Sequence, residues 1–265
     1  MAPPRLRPTL TLPLALFLIA LCGACSDDDV AVADSGAVAD KGTIDSAVTP
    51  DAKVLKTVFG GARKVNLEVP VGYDGTKALP LVLVLHGYGA IGWVQMKFMG
   101  YHTLVEKEQV LMAAPDGLLD NKKKNFWNAT DACCDFDGKA PDDSGYLSKL
   151  IDEIKAEYNV DPKRVYLIGH SNGGYMSYRM ACDHADQIAA IISLAGSTWG
   201  DTTKCKPSAK VSVLQIHGDK DDAVYYKGGN LFGGTISYPG AVKTASIWAG
   251  YNGCDAKTEA GTKAL

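Results

Sequence analysis

Val165-Tyr166-Leu167-Ile168-Gly169-His170-Ser171-Asn172-Gly173-Gly174 is the stretch whose reading decides the fold. Its first four residues are an unbroken apolar run, as expected of a strand covered on both faces. Gly169 to Gly173 then spell Gly-x-Ser-x-Gly, and Gly173 to Cys182 carry helical spacing. A strand that turns sharply into a helix lifts the serine hydroxyl above the sheet edge and aims the next backbone N–H, that of Asn172, at the same point. Ser171 is therefore a candidate nucleophile on an elbow. The bland alternative, a glycine-rich turn with an idle serine, does not explain why a strand ends just before the motif and a helix begins just after it.

Four other apolar runs share that character: Leu81 to Leu85, Val110 to Ala114, Ala189 to Leu194 and Val211 to Ile216. Helical patterns separate them, at about Val94 to Lys107, Ser144 to Tyr158, Gly173 to Cys182 and Ala241 to Ala249. In the second pattern Leu147, Leu150, Ile151, Ile154 and Tyr158 recur at three- and four-residue steps, with Asp142 or Asp143 at the N-cap. Alternating strands and helices predict an α/β fold with a doubly wound, mostly parallel sheet. Leu55 to Phe59 and Val65 to Val69 alternate apolar and polar residues around Gly60-Gly61, which predicts an N-terminal antiparallel hairpin. Asp116 to Pro141 lacks a period but holds Trp127, Cys133 and Cys134, and is expected to be a long ordered loop near the site.

Two further segments carry candidate chemistry. Leu85-His86-Gly87-Tyr88-Gly89-Ala90 follows the first parallel strand, where a second oxyanion donor belongs, and the Tyr88 backbone N–H is the candidate. His86 is expected to shape this loop rather than to transfer protons. His217-Gly218-Asp219-Lys220-Asp221-Asp222 closes the last run, read as another buried strand, and an orienting carboxylate belongs in it. Spacing does not separate Asp219, Asp221 and Asp222, and a solvated acidic turn or an adventitious cation site is the alternative.

The 265 residues are 46% apolar and 22% charged, enough for one sizeable core. A formal net charge of −3 supplies no broad positive field for nucleic acid, which is not expected as a partner. Arg5 and Arg7 precede an apolar run, Leu10 to Leu21, too short to span a bilayer, so residues 1–25 are predicted to be an export signal. Small residues before Cys25 and acids after it resemble a lipoprotein cleavage box, which makes Cys25 the expected lipid attachment site and a membrane anchor an expected partner. Residues 26–53 lack aromatic residues and large apolar clusters and are predicted to be a disordered tether, leaving 54–265 as the folded domain. No cofactor and no metal are expected, since no Cys-x-x-Cys or His-rich spacing is present.

The resemblance becomes specific when these segments are set together. The run Val160-Asp161-Pro162-Lys163-Arg164-Val165-Tyr166, the elbow, Tyr178-Arg179-Met180-Ala181-Cys182 and Ala189-Ala190-Ile191 resemble the secreted polyhydroxybutyrate depolymerase and feruloyl esterase family of α/β-hydrolases. So do His86-Gly87, Asp142-Asp143-Ser144-Gly145-Tyr146, His217-Gly218 and Trp248-Ala249-Gly250-Tyr251-Asn252-Gly253-Cys254. The resemblance implies an α/β-hydrolase fold and a secreted or lipid-anchored serine ester hydrolase. Its substrates would be hydroxycinnamoyl, polyhydroxyalkanoate-type or acetyl esters, possibly polymeric or polysaccharide-linked. It places the triad acid at Asp221, a Cys182–Cys205 bridge, and Cys254 as the unpaired cysteine.

The sequence departs from that family in three respects. The mechanism needs a histidine after the acid, yet His86, His102, His170, His184 and His217 all precede Asp221. The expected last strand and helix are also missing, and five cysteines (Cys133, Cys134, Cys182, Cys205, Cys254) are an odd number for an oxidising compartment. Residues 1–265 are accordingly expected to be a fragment of a longer esterase, nearly inactive alone, with its histidine beyond Leu265. A serine peptidase of the same fold and a non-catalytic surface binding protein are the rival expectations; Trp127 and Tyr88 are expected to pack the loop rather than stack on an acyl group.

Overall fold

The computed structural model describes residues 55–254, so the predicted export signal, Cys25 and the tether lie outside the described residues. The described residues open with β1 (Val58–Phe59) and β2 (Val65–Glu68), an antiparallel pair in which Val65 and Leu67 are buried while Asn66 and Glu68 face water. β3 (Leu79–Leu85) follows and is buried along its whole length. Next come α1 (Gly92–Phe98), a single 3₁₀ turn, α2 (Leu104–Lys107) and β4 (Leu111–Ala113). The helix predicted over 94–107 is thus two short pieces. The break falls at Gly100, whose φ of 72° lies in the left-handed region that ends helices.

The loop expected over 116–141 is ordered and contains a small antiparallel ribbon, β5 (Leu118–Leu119) with β6 (Asn125–Phe126). α3 (Asp143–Glu157) starts behind Asp142, whose carboxylate accepts from the Gly145 N–H at 2.8 Å, and buries Leu147, Leu150, Ile151 and Ile154 on one stripe. β7 (Val160–His170) begins five residues before the predicted strand. Asp161 to Arg164 bulge between the pairs Leu79↔Val160 and Leu81↔Val165, and Asp161 steadies the bulge by accepting from the Lys163 N–H and from Arg164 Nε. α4 (Asn172–Asp183), β8 (Ala190–Leu194), β9 (Ser212–Ile216), the hairpin of β10 (Gly228–Asn230) and β11 (Ser237–Pro239), and α5 (Ala241–Asn252) complete the order.

One sheet runs β1-β2-β4-β3-β7-β8-β9, with β4, β3, β7, β8 and β9 mutually parallel. The chain winds from β3 outward to β4 and then returns past β3 to β7. Strand order therefore reverses between β3 and β7, and a crevice opens at their C-terminal ends. Leu81, Leu83 and Leu85 turn toward the core packed by α3 and α4, whereas Val82 and Val84 pack against Met96 of α1 and Val105 of α2.

The reading of 211–216 as a strand covered on both faces is corrected. Among the described residues β9 is the edge of the sheet, and Leu214 and Ile216 are 51% and 41% exposed. A continuous apolar run specifies a strand but not its place in the sheet. Among the described residues α1 and α2 cover the β3–β4–β7 part of this face, while α5 packs near Val211.

The hairpin is fastened to α3 by a buried charge. Asp143 is fully buried and accepts from the Arg63 guanidinium and, at 2.7 Å, from the Asn128 N–H, while Arg63 stacks on the Tyr146 ring. Burial pushes the Asp143 carboxyl up, and these donors pull against that shift. Removing the acceptor strands a guanidinium and an amide together. Asp143→Ala is expected to lower unfolding free energy by about 3–5 kcal/mol, and Asp143→Asn by less. A urea midpoint for Asp143→Ala close to the wild-type value would show that the pair does not fasten the hairpin.

Candidate active site

Ser171 stands between the last residue of β7 and the first of α4, with φ 51° and ψ −117°. A non-glycine residue held there is strained, and such strain persists only where the surroundings over-determine it. The surroundings here are the Ser171 N–H donating to Leu194 O of β8 at 2.8 Å and the Ser171 carbonyl accepting from the Tyr175 N–H at 3.0 Å. Asn172 opens α4, so its N–H has no carbonyl one turn back to donate to.

Glycines permit the approach of backbones around this turn. A Cβ on Gly173 would lie 2.1 Å from Leu85 O, and one on Gly169 would lie 2.0 Å from Gly173 O. The β3 loop meets the elbow at Gly87, where a Cβ would lie 3.1 Å from His170 Nδ1 and 3.5 Å from Ser171 Cβ. Ser171, His170, Gly87 and Tyr88 line one cavity of about 280 Å³, whose far wall is α1. The structure thus brings the sequence-selected serine and β3 loop together.

His86 is fully buried, and its environment dictates its form. Nε2 accepts from the Gly117 N–H at 2.9 Å, which leaves the proton on Nδ1, 2.8 Å from Gly87 O. Burial drives its pKa down, with smaller opposing effects from Gly87, Asp116 and Asp143. It shapes the loop, as expected. Trp127, also fully buried, donates its indole N–H to His86 O at 3.1 Å and stacks beside the imidazole, so it packs the loop. The Tyr88 hydroxyl donates to Asp120; burial first and then that carboxylate push its pKa up to about 12.

Asp221, Asp219 and Asp222, which spacing left equivalent, differ in space. Asp221 Oδ1 accepts from the N–H groups of Ala223 and Val224, each at 2.9 Å, and its charge raises the pKa of His170 against the lowering by burial. Asp219 and Asp222 are exposed. His217 Nε2 lies 3.5 Å from Asp221 Oδ2, yet it sits closer, at 2.6 Å, to Val224 O, and Nδ1 faces the Gln215 amide at 3.2 Å. Gln215 in turn accepts from the Tyr178 hydroxyl and donates to Gly196 O. His217 is built into a structural chain.

Three contributors were not selected from sequence. Gln95 of α1 accepts from the Gly87 N–H at 3.0 Å and so sets the height of the β3 loop. The Asn172 side chain accepts from the Trp127 N–H at 2.7 Å, donates to Trp127 O at 2.9 Å and reaches Cys133 Sγ at 3.5 Å, which clamps the 116–141 loop onto the elbow. Arg179 of α4 donates to Asn128 O at 2.6 Å in the same loop. No local signal marks any of them, because each acts across the fold. Cys182 is bonded to Cys205 and Cys133 to Cys134, while Cys254 is free and exposed.

Comparison with known proteins places this geometry among relatives. The family model described as "putative esterase" matches residues 57–231. A feruloyl esterase B of Piromyces equi is 32% identical over 208 residues, covering 76% of this chain and 37% of the relative. A poly(3-hydroxyalkanoate) depolymerase C of Paucimonas lemoignei is 27% identical over 178 residues, 64% of this chain and 40% of that one. The chain thus spans less than half the length of these curated relatives. An acetyl xylan esterase structure from Aspergillus awamori superposes with a TM-score of 0.54 at 18% identity, covering 75% of this chain and 80% of that one. With its mostly parallel sheet and antiparallel N-terminal pair, the fold is that of an α/β-hydrolase.

The lowered pKa of His86 has a stability consequence. An unfolded histidine titrates near about 6.5, so the folded chain binds fewer protons just below that value than the unfolded chain does. The contribution is complete above about pH 6.5 and is lost as pH falls toward the depressed folded value. Urea unfolding at about pH 7.5 and about pH 5 is expected to show a steeper loss for the wild type than for His86→Gln. Parallel losses would remove His86 from the account.

Proposed function

The chain belongs to the esterase family whose model spans residues 57–231, and from that premise we propose that it is an exported serine carboxylic ester hydrolase working through an acyl-enzyme at Ser171. One observation carries the reading: a serine held at φ 51° between β7 and α4 opens into the same cavity as the Gly87–Tyr88 loop. A merely structural turn has no need of a strained serine facing a hollow.

In the proposed reaction Ser171 Oγ attacks the ester carbonyl carbon and gives its proton to an imidazole. The N–H groups of Asn172 and Tyr88 hold the negative oxygen that forms. The tetrahedral species collapses, the bond to the alcohol oxygen breaks, and that oxygen takes the proton from the imidazolium. Water then adds to the acyl-enzyme by the same steps, releasing the acid and restoring Ser171. Asp221 is the group proposed to orient the imidazole, because two backbone N–H groups fix one of its oxygens. His217 is not proposed as that imidazole, since its ring nitrogens face Val224 O and the Gln215 amide.

Relatives named for feruloyl, acetylxylan and poly(3-hydroxyalkanoate) substrates support hydroxycinnamoyl, acetyl or polyhydroxyalkanoate-type esters as the substrate range. Export with lipid attachment at Cys25 is proposed from the N-terminal sequence.

In the whole protein, Ser171→Ala is expected to lower turnover of a nitrophenyl ester by a factor on the order of 10⁴ to 10⁶, and a fluorophosphonate should label Ser171. Turnover that survives the substitution would assign the chemistry elsewhere. Cys25→Ser is expected to shift the protein from the membrane pellet to the soluble fraction; a variant still retained on membranes would rule out the Cys25 anchor.

A further inference from the structure

We propose that the cavity between Ser171 and α1 is an acyl-chain subsite, selective for an extended, uncharged apolar acyl group over acetyl. The assignment rests on the esterase reading above and adds which half of the ester lies where. β7 is flanked by β3 on one side and by β8 and β9 on the other. Asp221 follows β9, so the imidazole it orients, and the leaving alcohol protonated by that imidazole, belong on the β8–β9 side of Ser171. The acyl remainder must then extend the opposite way, toward the β3 loop and α1.

That side is built of apolar surface. Val94, Phe98 and Met99 line the cavity together with Ser171, and no Asp, Glu, Lys or Arg joins them. Val94 is 43% exposed and Phe98 85%, so α1 presents apolar side chains outward at the cavity's mouth, continuous with the serine. The wall is also fixed. Met96 of the same helix is buried against the sheet, Gln95 holds the Gly87 N–H, and the Gly92 N–H donates to Asp116 at 2.6 Å. Burial keeps His170, the remaining titratable side chain on this wall besides Tyr88, inclined to its neutral form. Beyond Tyr88 the character changes, and a separate hollow adds Asp120, Lys122, Lys124 and Asp137 to the rings of Tyr88 and Phe136. Polar substrate groups find partners there, not against α1.

Size decides between acyl groups. The cavity of about 280 Å³ holds the volume of about nine waters at roughly 30 Å³ each. An acetyl methyl displaces about one of them, whereas a hexanoyl or phenylpropenoyl group displaces most. Each CH₂ buried on that wall favours the transition state by about fourfold.

The test measures kcat/KM of the whole protein on nitrophenyl acetate and nitrophenyl hexanoate, with Ser171→Ala as the blank. The hexanoate-to-acetate ratio is expected to be about 10- to 100-fold in the wild type. It should fall at least about tenfold in Phe98→Ser and in Val94→Asp. Phe98 is a surface side chain, so its loss leaves the core intact. Ser171-dependent turnover with the ratio unchanged in both variants overturns the subsite and leaves the esterase reading standing. Failure of both esters to show Ser171-dependent turnover overturns the esterase reading and the subsite with it. An unchanged ratio accompanied by loss of self-association on sedimentation would give the α1 face to a second copy of the chain and also defeat the proposal.

Discussion

Backbone against backbone at the start of α4 is the contact on which the site depends. Gly173 rides on the Leu85 carbonyl at the end of β3, and Gly169 rides on the Gly173 carbonyl, in space that no Cβ could share. This close packing of β3, β7 and α4 forces the chain to reverse within a single residue, and that residue is Ser171. The strain at φ 51° is therefore set by the parallel sheet itself, since the helix must return across the strand it has just left. It also explains why the elbow serine and the β3 loop face one hollow. They are the two backbone edges left at the point where strand order reverses.

Around that point polar groups are spent on holding loops in place. His86 fixes Gly117 and takes Trp127 against its ring, Asn172 grips Trp127 from below, and Gln95 ties α1 to Gly87. Each of these side chains is buried, and the His86 ring nitrogens, the Trp127 indole N–H, the Asn172 amide and the Gln95 carbonyl all have partners, which makes the network stiff in a low-dielectric setting. A residue adjacent to the elbow thus has two separable parts. The Asn172 backbone N–H is the first of α4 and is the group proposed above as an oxyanion donor, while its side chain anchors the 116–141 loop through Trp127. Loop and elbow are set in register by one residue.

The legibility of this structure in the sequence follows the range of the interactions. The strands of the centre were readable because burial on both faces leaves a continuous apolar run, and the elbow was readable because its glycines and serine lie within five residues. β9 was misplaced as a covered strand because Leu214 and Ile216 carry the same apolar signature at an edge as they would in the middle. The helix over 94–107 was drawn too long because helical spacing persists across Gly100, whose left-handed backbone ends it. Asp221 could not be told from Asp219 and Asp222 by spacing, since what distinguishes it is a turn that brings two N–H groups to one oxygen. Gln95, the Asn172 side chain and Arg179 were invisible for a further reason. Their partners are distant in the chain, and ordinary polar residues on helices carry no mark of what they will meet.

The same geometry divides the space around the serine into unlike halves. On the β3 side a short helix turns Val94 and Phe98 toward the hollow, and its one nearby polar side chain, Gln95, is already engaged with Gly87. On the β8–β9 side stand Asp221 and the His217–Gln215–Tyr178 chain, a charged and hydrogen-bonded environment. If Ser171 is the nucleophile proposed above, two chemically opposite walls about its hydroxyl suit a molecule whose two parts are themselves opposite in polarity and are joined at the bond to be cut. An ester of an apolar acid with a polar alcohol is such a molecule. The orientation of its halves would then be decided by the sheet order before any specific contact to the substrate is made, because Asp221, the acid proposed to orient the imidazole, follows β9 on the side where the chain adds its later strands.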